Sequence, residues 1–167
     1  MKTKGILLAI IVNMAVLTGF AQRASTRSPF VELMQDTWIT STFVGKAMLE
    51  FAPNMKVGSS SIVELSTVLD QIEIYTNPKV DSSNWRLGRW IYNHAVEAIM
   101  YKYNLQLKIE DKEQKITCIY SKPAKDSDKL SEVVVITLGK KDLPENCTVI
   151  RLVGNFTMKD IKKIMAK

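Results

Sequence analysis

The chain has 167 residues, with 23 Lys and Arg against 17 Asp and Glu, and a net charge of +6. That length suits one domain with a sizeable core. Basic and acidic residues are interleaved along it, which reads as a solvated surface and argues against nucleic-acid binding. One histidine and two cysteines are too few for the common zinc ligand patterns, which need several such residues at fixed spacing.

Lys2 and Lys4 precede an apolar run over residues 5–21 that closes on Gly19, Phe20 and Ala21. A positive start, an apolar middle and small residues at a cleavage point are the parts of an export signal. The run is shorter than the roughly 20 residues that a membrane span needs, and Asn13 and Gly19 interrupt it. Cleavage after Ala21 is therefore expected. Contact with the membrane is expected only through an uncleaved signal. An exported protein works without ATP or NADH, and no cofactor is expected.

Residues 22–28 are polar and read as a flexible start, followed by a single domain over 29–167. Ser28 and Pro29 have the form of a helix N-cap and first helical residue, with Phe30, Leu33 and Met34 turned inward. Residues 42–49 are expected as a strand, although 46–50 also suit a helix. Ser61 and Glu64 form a capping box that would open a helix carrying Ile62, Leu65 and Leu69. Residues 71–76 alternate polar and apolar, the pattern of a half-buried strand. The longest helix is expected over 84–103. Its core stripe is Trp85, Tyr92, Ala95, Val96, Ile99 and Tyr103.

Four strands follow. Leu105, Leu107 and Ile109 alternate with Gln106, Lys108 and Glu110, and a turn over 111–114 leads into a partner strand over 116–120. After a polar loop over 122–129, residues 133–138 are apolar on both faces and so read as a central strand. The fourth strand spans 148–153. In the closing helix Thr157 caps with Asp160 facing back, and Phe156 staples onto Ile161. Its apolar stripe is Met158, Ile161, Ile164 and Met165, opposite Lys159, Lys162, Lys163 and Lys167. The expected class is α+β, with a mostly antiparallel sheet in β-α-β-α-β-β-β-β-α order and helices packed on one face.

Three segments carry a family resemblance. They are Gly45 to Leu49 with Ala52 to Met55, then Leu69 to Tyr75, then Val149 to Ile161 with its Leu-Val-Gly-Asn-Phe core. In that order, after an export signal, they resemble a family of small exported Bacteroidetes proteins known as domain of unknown function four-two-five-two. The resemblance implies a Gram-negative envelope location, the periplasm first, and brings no catalytic residues. Relatives that are lipoproteins carry a cysteine at the cleavage site. This chain has none there, so lipid anchoring does not carry over.

Candidate sites are few. His94 points away from the core stripe and lacks a second ligand at metal spacing. A Cys118 and His94 nucleophile–base pair has no motif around it. Glu110, Asp111 and Glu113 fall at a turn, where carboxylates are normally solvated. Asp126 and Asp128 lack the glycine and distal glutamate of a calcium loop. Cys118 and Cys147 are either a disulfide, worth about 3 kcal/mol over a loop of roughly 30 residues, or two buried thiols. Trp90, His94, Glu97 and Tyr101 line up on the helix side opposite its core stripe. Either another segment covers them, or Trp90 and Tyr101 anchor a partner. These observations favour an exported protein without catalysis that binds an envelope protein or surface component. The alternatives are an envelope stress or signalling component and a hydrolase with an unfamiliar site.

Overall fold

The computed structural model describes residues 28–51, 56–57, 60–61, 67–77, 86–112, 115–125, 128–139 and 146–165. The export signal over 1–21, the polar start over 22–27, residues 62–66 of the helix expected after Ser61, and Trp85, Glu113 and Asp126 lie outside these residues, while Leu69, expected on that helix, lies in a strand instead.

The protein is α+β. In chain order it runs α1 (Val31–Gln35), β1 (Thr40–Gly45), α2 (Lys46–Phe51), β2 (Lys56–Val57), β3 (Ser60–Ser61), β4 (Leu69–Thr76), α3 (Leu87–Ile99), β5 (Asn104–Glu110), β6 (Ile116–Pro123), β7 (Leu130–Leu138), β8 (Cys147–Phe156) and α4 (Met158–Met165). Six strands form an antiparallel sheet in the order β1-β4-β8-β7-β6-β5, and β2 pairs with β3 apart from it. The last strand, β8, thus sits in the middle, between β4 and β7. The apolar run of β7 is also interior, as its sequence predicts.

The sheet has a core on each face. On one, α3 lies across β7 and β8. There Ile91, Ala95 and Ile99, with Phe30 and Leu33 from the α1 region, bury against Tyr75, Val134, Ile136 and Val149. On the other, Leu49 of α2 and Ile161 of α4 join Val44, Ile72, Val133, Leu152 and Phe156. Fully burying each such side chain contributes about 1.5–3 kcal/mol, which offsets the entropy of ordering the strands.

Local chemistry explains the element ends. Residues 46–50, weighed above as strand or helix, are helical. Lys, Ala, Met, Leu and Glu are strong helix formers, and the β1 pairing ends with Gly45 opposite Gln71. Ser28 does not cap α1. The N-cap residue is Phe30, whose backbone N–H donates to Ser28 Oγ at 3.2 Å, while the hydroxyl itself turns inward. The long helix is shorter than predicted, because after Ile99 the chain passes through a turn to a buried Tyr103. At α4 the predicted capping box is present. Thr157 N–H donates to Asp160 Oδ2 at 2.8 Å, and Asp160 N–H donates to Thr157 Oγ1 at 3.3 Å. Phe156 and Ile161 are both buried in one cluster, as a staple requires. Met158, expected in the apolar stripe, is instead 46% exposed.

Two strands depart from regular geometry. In β5 the pairing shifts between Leu105 and Leu107, so Leu105 lies opposite Tyr120 and Leu107 opposite Ile119. The predicted alternation is broken there: Leu105 shares the α3 face, while Leu107 and Ile109 lie on the other. At Gly154 a Cβ would lie 1.9 Å from the Val68 carbonyl oxygen. That carbonyl accepts from Asn155 N–H at 2.8 Å. Only glycine lets the chain before β4 cross β8 this closely.

Candidate functional site

The densest chemistry in the described residues is a buried ionic network on the α3 face of the sheet. Register places Arg151 of β8 between Val134 of β7 and Glu73 of β4. Its guanidinium bridges two carboxylates. Nη1 donates to Glu73 Oε1 at 2.6 Å and Nε donates to Glu132 Oε2 at 2.6 Å. All three residues are buried. The planar fork of arginine suits such a bridge, since its donors point in fixed directions.

Each carboxylate is further saturated. Glu73 also receives Gln71 Nε2 at 2.6 Å, the Tyr75 hydroxyl at 2.9 Å and Ser28 Oγ at 2.7 Å. Glu132 receives the Tyr103 hydroxyl at 2.5 Å and Lys122 Nζ at 2.6 Å. Burial alone would raise the pKa of Glu132. The hydrogen bonds from Arg151, Lys122 and Tyr103 outweigh it and hold the carboxyl below its ordinary value. Burial, reinforced by the neighbouring glutamates, pushes the Tyr75 and Tyr103 hydroxyls well above the ordinary tyrosine range. Arg151, despite its burial, is held more firmly protonated by Glu132 and Glu73.

This arrangement can hold strands together, but it is poorly suited to moving protons. The two carboxylates are fully occupied as acceptors, and the Glu132 pKa shift favours the ionised form, which has no proton to give. Sequence reasoning missed the network. Glu73 reads as the outward position of an alternating strand, yet both faces of β4 are covered. A charge within each of two family-specific segments, Glu73 in one and Arg151 in another, was the available signal.

The expected surface strip divides. Trp90 is half-buried and packs against the α3-side core. The His94 ring stacks on it with centroids 4.0 Å apart, and its Nδ1 lies 3.0 Å from the Trp90 carbonyl oxygen. Glu97 is exposed. Tyr101 lies past the helix end and is 87% exposed. The helix thus covers Trp90 by its own position on the sheet and leaves Tyr101 bare. Met100 and Leu105, about half exposed, flank it in sequence where α3 hands over to β5.

Cys118 and Cys147 are buried thiols, not a disulfide. They lie on β6 and β8 with β7 between them. Two strand spacings are roughly 10 Å, beyond the reach of a disulfide. The Cys118 Sγ sits 3.7 Å from the Tyr92 hydroxyl, while the His94 ring stacks on Trp90. Glu110, Asp111 and Asp128 are exposed, and Asp111 Oδ1 accepts from Lys115 N–H at 2.9 Å to close the β5–β6 turn. Among the described residues no three His, Cys, Asp or Glu converge as a metal site, and no helix is long and apolar enough to cross a membrane.

The family model described as a domain of unknown function, DUF4252, matches residues 33–164. The chain belongs to the DUF4252 family. The match runs from within α1 to within α4 and includes Gly154 and all three residues of the Glu73–Arg151–Glu132 bridge. No curated protein and no solved structure matches it.

Proposed function

We propose that this DUF4252 protein is exported to the bacterial envelope, the periplasm first, and works there by binding a protein or surface component rather than by catalysis. The observation that carries this reading is the apolar corner at the end of α3. Met100, Tyr101 and Leu105 are exposed by 50%, 87% and 52% within six residues of chain. Tyrosine is a favoured anchor because it covers a large area at low entropic cost. The interior supports the same reading, since the buried ionisable groups are occupied with one another. The positive start and apolar run over 2–21 support export.

The test separates anchor from core. Tyr101→Ala should leave the thermal midpoint within about 2 °C of wild type, as expected of an exposed residue, while abolishing association with the partner in envelope extracts. Trp90→Ala should lower stability instead, by about 2–3 kcal/mol, because that ring is partly core. A Tyr101→Ala protein that binds as wild type does would remove the corner from the account.

A further inference from the structure

The sheet has two edges, and they differ. At one, β1 is flanked by α1 and α2, both of which contact it. At the other, β5 pairs only with β6 among the described residues. Six of its seven residues are exposed and the seventh is intermediate. An open edge presents a row of backbone donors and acceptors, and exposed apolar side chains on it favour the addition of another strand. Ile109 is 50% exposed. Lys108 lies opposite Cys118 and Glu110 opposite Ile116, so both charges sit on the α3 face, while Leu107 and Ile109 sit on the other.

We propose that the end of β5, Lys108 to Glu110, pairs antiparallel with the same three residues of a second copy, about a twofold axis at Ile109, joining the two sheets at that end of their open edges. Charge complementarity selects this partner and this register. A twofold at Ile109 sets Lys108 of each copy opposite Glu110 of the other, giving two cross-strand ion pairs on one face. It sets Ile109 against Ile109 on the opposite face, covering the exposed side chain of each. Moving the axis to Lys108 places lysine against lysine. Moving it to Leu107 places Lys108 against the residue at the strand irregularity, Gln106. An axis between residues puts side chains of opposite faces across from each other, which the pleat forbids.

Sedimentation of the purified protein over a concentration series should show a reversible monomer–dimer equilibrium. Lys108→Glu alone, or Glu110→Lys alone, puts like charges opposite each other twice and should weaken association at least tenfold. The double exchange, Lys108→Glu with Glu110→Lys, should restore it. Independently of these variants, Ile109→Cys should form an interchain disulfide under mild oxidation faster than Gln106→Cys, because only the residue on the axis faces its own copy. A monomer throughout the series overturns the proposal. So does a dimer indifferent to charge reversal, a double exchange that fails to restore association, or equal cross-linking at 106 and 109.

Discussion

Arg151 holds β4 and β7 through two 2.6 Å hydrogen bonds, and both of its partners are buried. Arg151→Ala leaves two buried carboxylates without their shared cation. That should cost about 3–5 kcal/mol and lower the thermal midpoint by roughly 10 °C. The deficit relative to wild type should narrow in acid, because a protonated carboxyl no longer requires the cation. Thermal melts of the two proteins from pH 7 to pH 3 check both statements. The wild type has its own pH limits. Glu132 has a folded pKa below its ordinary value of 4.5, so its contribution is present above that value and lost as pH falls through the lower, folded one. Tyr75 and Tyr103 have raised folded pKa values. Their contribution is intact below the ordinary value of 10 and is lost as pH climbs beyond it. Stability measured against pH should therefore fall at both ends, with the alkaline loss beginning near pH 10. At this scale the sequence was least legible. A glutamate between two isoleucines looks outward-facing until the second face of the sheet is known to be covered.

Among the elements, the connection at Gly154 is the most demanding. Gly154→Ala drives a methyl into the Val68 carbonyl, a backbone atom that cannot move without dragging the start of β4. The expected cost is about 3 kcal/mol, read by chemical denaturation. Thr157→Ala removes only a cap and should cost about 1 kcal/mol. The strands and the closing helix were legible because their signals are local. The apolar run at 133–138, the 105–120 hairpin and the Thr157–Asp160 box each depend on neighbours in sequence. What was not legible depends on long-range pairing. The insertion of β8 between β4 and β7, the irregularity at Gln106 and the separation of Cys118 from Cys147 by β7 have no short-range signature. Trp90 shows the same limit. Helical periodicity places it opposite the core stripe, but α3 lies so that the indole still reaches the buried cluster.

The molecule as a whole is a sheet braced by an internal ion network, with exposed Met100, Tyr101 and Leu105 where α3 hands over to β5, and export is part of the function proposed for it. Replacing Leu8 and Ile10 by arginine should retain the precursor inside the cell, because charge breaks the apolar run that the export machinery reads. Fractionation followed by mass measurement checks this. The central claim is that the protein acts by binding through the end of α3. It is tested most directly by a photo-cross-linking side chain placed at position 101 in living cells, with the same group at exposed Lys125 as control. A discrete adduct is expected from position 101, in the envelope fraction, that is absent from position 125. The absence of any adduct at 101, or the same products from both positions, would contradict it.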